Sequence, residues 1–173
     1  MCDIHLTGRE PFSAHQPTGA TVAAHALHER VDRLAAEMAG QVVDWRHHLH
    51  RHPELSNREV ETARMVAEHL DSLSLDELRT GIAGHGVIGV LRGGKAGEHV
   101  AALRADMDAL PMKEESGVDF ASDVIDEDYP GGPLPVAHTC GHDCHTAMLM
   151  GAASVLAGVR DELPGTVLFV FQP

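Results

Sequence analysis

Residues 138–145 read His-Thr-Cys-Gly-His-Asp-Cys-His, so three histidines, two cysteines and an aspartate fall within eight positions. A thiolate beside an imidazole suits Zn²⁺, Co²⁺ or Ni²⁺ and suits Mg²⁺ or Ca²⁺ poorly, whereas Mn²⁺ would need carboxylates to complete the site. If the chain is extended here, alternate residues share a face, and His138, Cys140 and His142 are expected to point the same way. Gly141 removes a side chain where the backbone must turn. Asp143 stands where a helix N-cap belongs, or where a carboxylate would orient a metal-bound imidazole. The plainer alternative is a buried free Cys140 with histidines as caps and hydrogen-bond donors. A zinc-finger-like site would need a second ligand pair. Cys144, one turn into a helix, need not face the others, and Cys2 lies near the start of the chain.

A second group lies in Leu-Arg-Ala-Asp-Met-Asp-Ala-Leu-Pro, residues 103–111. Asp106 and Asp108 follow an apolar run, two positions apart, so both could face one side. Ligands of open α/β sheets gather at the carboxyl ends of strands, and carboxylates there could bind or orient a metal. They could equally be caps in a loop that ends at Pro111. A catalytic zinc normally has three protein ligands plus water, and a two-metal hydrolytic centre needs more, with a group bridging ions ~3.5–4 Å apart. A positioned Glu or His must also deprotonate the water. Cys140 and His142 supply two ligands, and no second cluster in the chain is as convincing.

The elements that would carry these residues can be read from periodicity. Val31, Leu34, Met38, Val42, Trp45 and Leu49 recur at spacings of three and four, predicting a helix over 21–49 that Pro53 stops. The His and Arg residues at its end complement the helix dipole and need not be ligands. Ser56 and Glu59 have capping-box spacing ahead of a second helix with Val60, Ala63, Ala67 and Leu70 as its buried stripe. Val87–Leu91 and Val100–Leu103 are short apolar runs punctuated by Gly93, Gly94 and Gly97, expected as a hairpin or as neighbouring strands of one sheet. Residues 110–137 read as loop, either functional or a solvated acidic excursion. A helix rich in small residues is expected over 143–159, and a buried strand over 165–173. The order predicts an α/β fold, with helices packed on a mixed, mostly parallel sheet. Residues 1–20 are expected to be a flexible arm, and 21–173 one domain.

The bulk numbers are those of a soluble globular chain. It has 173 residues, 43% hydrophobic and 23% charged, with aromatics only 3%, so the core must be aliphatic. A net charge of −13 argues against a nucleic-acid partner and an anionic membrane surface. Three cysteines do not suggest a disulfide framework, the first twenty residues lack a signal-peptide core, and no apolar run approaches the ~20 residues of a membrane span. A reducing cytoplasm is the expected compartment.

The segments Trp45–Leu70, Gly86–Gly94, Ala102–Gly117, His138–Leu156 and Gly165–Pro173 resemble the N-terminal part of the metal-dependent amidohydrolases that include hippurate hydrolase and the indole-acetyl-amino-acid hydrolases. They cover most of residues 41–173. The resemblance implies a zinc-exopeptidase-like catalytic domain in which Cys140 and His142 are ligands of a dinuclear centre. His138, Asp143, His145 and Asp108 would support them, with Asp106 beside the metals. Two divalent ions per complete subunit are implied, Mn or Zn foremost, with Co or Ni as alternatives. Related carboxypeptidases have His-x-Asp where this chain has Arg104-Ala105-Asp106, the form usual in the amidohydrolase branch, and this favours N-acyl-amino-acid amides over peptides. Arg104 cannot be a ligand, because its guanidinium stays protonated. Family members continue past the segment matching Phe171-Gln172-Pro173 with Ala-Glu-Glu, the general base and a further ligand, then a lid or dimerisation domain. The 173 residues alone are therefore expected to bind metal weakly and to catalyse little. The implied reaction is hydrolysis of the amide bond of a small N-acyl amino acid, with a homodimer possible for the complete enzyme. The alternative is a non-catalytic metal-binding or interaction module derived from such an enzyme.

Overall fold

The computed structural model describes residues 19–173, with side chains from residue 24 onward. The arm expected at residues 1–20 and Cys2 lie outside that range, except that Gly19 and Ala20 already belong to the first helix. In chain order the elements are α1 (Gly19–Arg51), α2 (Val60–Ser72), β1 (Glu77–Ile82), β2 (Gly86–Arg92), β3 (Lys95–Asp106), β4 (Ile125–Asp126), β5 (Leu134–Pro135), α3 (His142–Gly158), a 3₁₀ turn (Arg160–Glu162) and β6 (Pro164–Gln172). No helix among the described residues is long and apolar enough to cross a membrane.

The principal sheet has the order β1-β2-β6-β3. It is mixed as expected, but not mostly parallel: β1–β2 and β2–β6 are antiparallel, and only β3–β6 is parallel. Chain length decides this. The short link between β1 and β2 permits only an antiparallel return, whereas β3 and β6 are separated by α3, long enough for a crossover. Strand β1 was not legible as a strand, because its six residues carry Glu77, Arg79 and Thr80 on an exposed edge. The two apolar runs expected to be neighbours belong to one sheet, but β6 lies between them. Their glycine-rich link spans the entry to β6: the amides of Gly93 and Lys95 donate to the carbonyls of Gly165 (2.8 Å) and Leu163 (3.0 Å).

Helices α2 and α3 pack on the sheet, and α1 lies outside them against α3. Between helices and sheet sits a core of Val66 and Leu70 from α2, Val87 and Leu91 from β2, Leu149, Met150 and Ala153 from α3, and Phe169 and Phe171 from β6. Strand β6 is a continuous apolar run, yet only Phe169 and Phe171 are buried among its large residues, and Leu168 and Val170 stay half-buried on the other face. Gly151 lets α1 approach α3 closely, since a Cβ there would stand 2.6 Å from Cγ2 of Val42.

Two local readings of α2 need correction. Its buried positions are Thr62, Val66 and Leu70; Val60 is exposed, while Ala63 and Ala67 are half-buried. Ser56 and Glu59 do not form a capping box. Glu59 is itself the N-cap residue, makes no capping bond, and turns its Oε1 to the amide of Asn57 (3.0 Å). The free amides of the first turn are taken by Glu54, whose carboxylate accepts from Glu61 (3.1 Å) and Thr62 (2.8 Å). A carboxylate does this well, because it also meets the positive end of the helix dipole.

Candidate metal centre

The site lies where β3 ends and α3 begins. Asp106 closes β3, opposite Gln172 at the end of β6, so the carboxyl ends of two parallel strands meet there. The turn into α3 is made by Gly141, whose φ of +87° is left-handed. His142, Asp143 and His145 then occupy the first helical turn, and Thr146 fixes the turn to the strand by donating its hydroxyl to the carbonyl of Asp106 (2.9 Å).

Asp106, His142 and His145 form the one group among the described residues whose donor atoms could share an ion, all within 4.8 Å of one another. Asp106 Oδ1 accepts from Nδ1 of His145 at 2.6 Å, and its Oδ2 lies 3.4 Å from Nε2 of His142 and 3.2 Å from Nη1 of Arg104. Burial pushes the Asp106 carboxyl up, but the hydrogen bond from His145, a backbone bond and the charges of His142 and Arg104 together hold it below the usual aspartate range. Nδ1 of His142 faces two acceptors of Asp108, the carbonyl (2.9 Å) and Oδ1 (2.8 Å). Nδ1 must therefore donate, which leaves the Nε2 lone pair for a cation, the arrangement expected of a ligating histidine. The donor set thus fits a divalent transition metal. Asp106 and Asp108, two positions apart, do reach the same imidazole.

The sequence grouped His138, Cys140 and His142, and the structure gives them different surroundings. His138 is buried, Cys140 is exposed and His142 is part-buried in the helix. The segment is not extended, since the amide of Thr139 already turns back to the carbonyl of Ala137 (3.0 Å) and the chain bends through Cys140 and Gly141. Cys140 lies just before the turn that carries His142 and His145, outside the three-residue group. Cys144 is half-buried, and its thiol is pushed up by burial and by the charge of Asp143.

Behind the first turn of α3 lies a buried polar cluster. Asp143 is not the N-cap. Its Oδ2 accepts from Nε of Arg46 (2.9 Å) and Nδ1 of His50 (2.8 Å), both from the last turns of α1. Nε2 of His50 lies 2.9 Å from Oε2 of Glu114, a close contact without hydrogen-bond alignment. Phe120 covers this side, stacked on His47 with ring centroids 3.8 Å apart and lying under the guanidinium of Arg46 at 4.7 Å. His138 is enclosed nearby with neither ring nitrogen hydrogen-bonded. Burial lowers it to about 4, with the charges of His50 and His142 acting in the same sense and those of Asp143 and Asp108 against it. Arg46, His50 and Glu114 were not singled out from the sequence. Arg46 and His50 share a helix face at four-residue spacing, but nothing local points to a partner more than ninety residues away.

The model of the peptidase family M20/M25/M40 matches residues 102–173, the stretch that holds every residue of the three-residue group. An N-acyl-L-amino acid amidohydrolase of Geobacillus stearothermophilus is 44% identical over 144 residues, covering 83% of this chain and 36% of the relative. An IAA-amino acid hydrolase of Arabidopsis thaliana is 42% identical over 134 residues, covering 75% of this chain and 28% of the relative. A solved Bacillus subtilis structure, described as a dinuclear metal-binding peptidase of the M20 family, superposes with a TM-score of 0.68 at 39% identity, covering 80% of this chain and 36% of that one. The chain thus spans about a third of the length of the relatives it matches. It belongs to the M20 peptidase family and covers part of the family's catalytic domain. Within that family its resemblance is to the amidohydrolases of N-acyl and indole-acetyl amino acids.

Proposed function

We propose that this chain contributes one part of a dinuclear metal centre that hydrolyses the amide bond of small N-acyl amino acids. The observation that carries the reading is the tautomer of His142: its Nδ1 is committed to Asp108, and its Nε2 faces the carboxylate of Asp106. His142 and Cys140 are the proposed ligands, with Zn²⁺ or Mn²⁺ as the ions. Asp106 and His145, grouped with His142, complete or orient the set. Asp108 holds the His142 ring; Asp143 and His138 stand behind it. Bound divalent ions would lower the pKa of a coordinated water and polarise the scissile carbonyl. The chain's own residues present the donors: Asp106 keeps its charge and His142 keeps its ring orientation. Relatives named for N-acyl and indole-acetyl amino acids support the substrate class.

The test uses the whole protein. Metal content is measured for the wild type, Cys140→Ser and His142→Ala, and hydrolysis is followed for N-acyl amino acids and for dipeptides. The reading expects bound metal, preference for N-acyl amino acids, and loss of both metal and turnover in each variant. Tight stoichiometric metal with no hydrolysis of any amide would favour a non-catalytic metal-binding module. Full metal content in Cys140→Ser and His142→Ala would overturn the ligand assignment.

A further inference from the structure

We infer that His50 is a positioning residue for the metal centre, acting through Asp143; the inference rests on the ligand reading above. The reason begins with what α3 lacks. Its N-cap is Gly141, which has no side chain, and no side-chain capping bond closes the first turn. No side-chain cap therefore closes that turn, although it carries both His142 and His145, and the bond of Thr146 to the carbonyl of Asp106 holds only its sheet side. The fixing comes from a distance. His50, buried on the last turn of α1, places Nδ1 2.8 Å from Oδ2 of Asp143, the residue between the two histidines. The other ring nitrogen lies 2.9 Å from Oε2 of Glu114, in the long segment between β3 and α3.

One imidazole thus bonds α1 to the histidine-bearing turn and lies in close contact with the segment that encloses them. Arg46 also bonds Asp143, but it sits one turn earlier and its side chain is 31% exposed, so it supplies charge with less constraint. Phe120 closes over the edge of the His50 ring at 5.3 Å, which keeps the ring in place. His50 touches none of the proposed ligands directly. Its influence reaches the metal only as the orientation of the helical turn.

The test separates positioning from general stability. In the whole protein, Zn²⁺ affinity is measured by chelator competition for the wild type, His50→Asn, His50→Gln and His50→Leu, and Tm is measured for each with the metal removed. Asn places its amide near the Nδ1 position and keeps the Asp143 bond, whereas Gln reaches toward Glu114 and Leu keeps neither. Partners that orient a ligand typically change metal affinity 10–100-fold, so His50→Gln and His50→Leu are expected to fall about tenfold or more, and His50→Asn to stay within about threefold. Equal affinities in Asn and Gln variants, whatever their Tm, would overturn the inference. If His50→Leu does not fold, the Asn–Gln pair still decides. A wild type that holds no Zn²⁺ refutes the ligand reading first, and this inference with it.

Discussion

Helix α3 is two different objects joined end to end. Its first turn buries Asp143 and part-buries His142, and both are held by side chains from α1, β3 and the loop after β3. Its remaining turns are small and apolar: Ala147, Met150, Gly151 and Ala153 are buried, and they meet α1 and the sheet by close approach, with one polar tie from His69 of α2 to the carbonyl of Met150 (3.1 Å). In the first turn the interactions are few, directional and long-range in sequence. In the body they are many and non-directional. A polar group buried with partners is expensive to strand, whereas an apolar contact weakens in proportion to the volume changed. The two halves should therefore fail differently when cut.

The largest effect is expected from Asp143→Ala. It leaves buried His50 and part-buried Arg46 without their shared acceptor, and removing one partner of a buried pair costs about 3–5 kcal/mol. Because Arg46 can turn to water, the lower end of that range is expected in urea denaturation. Asp143→Asn, which keeps one oxygen, should recover part of it. A cost of 0.5 kcal/mol or less for Asp143→Ala would mean the cluster contributes no net stability, and the contrast between the two halves would disappear.

Next comes Gly151→Leu in the apolar half. Even its Cβ would stand 2.6 Å from Val42, so α1 must move away, and overpacking of this kind costs typically ~1–3 kcal/mol. Val42→Ala on the facing helix should relieve part of the cost. A double-mutant cycle measures the relief, and purely additive effects would contradict the close contact between these two positions.

The comparison also explains what could be read in advance. The body of α3, the stripe of α1 and the apolar run of β6 are periodic, and periodicity survives in a bare sequence. The metal-capable residues were legible as types, and Asp106, His142 and His145 do converge. The first turn's surroundings were not legible, since Arg46–Asp143 and His50–Asp143 join residues 97 and 93 positions apart. The order of strands was missed for the same reason. Two apolar runs joined by glycines look like a hairpin, and only β6, arriving after α3, shows that a strand fits between them. Glu54 as the cap of α2 lay outside the usual spacing, so Ser56 and Glu59 drew the assignment.

The polar half should also respond to pH. Burial holds His138 at about 4 in the folded state, against an ordinary value near 6.5 when unfolded. The unfolded chain takes up this proton first, so stability falls as pH drops from about 6.5 to about 4 and is then flat for this group. Half-buried His69, lowered chiefly by desolvation, acts with the same sign. For His138 the loss is of order 3 kcal/mol by pH 4. Denaturation midpoints from pH 7 to 4 measure it, and His138→Phe should flatten the slope without abolishing it, because His69 remains. A slope unchanged by that substitution would show that His138 does not titrate between those limits.

The smallest effect is expected on the outer face of α3, at Met148. Its side chain is 55% exposed beside a groove of about 590 Å³ lined by Val31, Met38, Val42, Val43 and Val155, and by the helix itself. In this structure Met148→Lys removes little contact, and surface substitutions of this kind usually stay within about 0.5 kcal/mol. The lysine stem can also lie along the groove with its ammonium in water. A near-zero change in Tm would establish that the body of α3 depends on its inner face alone, with Gly151 and Ala153 as the sensitive positions. A loss comparable to that of Gly151→Leu would instead mean that the groove is covered in solution. Sedimentation of the wild type and of Met148→Lys then decides between a second copy and another part of the same protein, since only the first would change the oligomeric state.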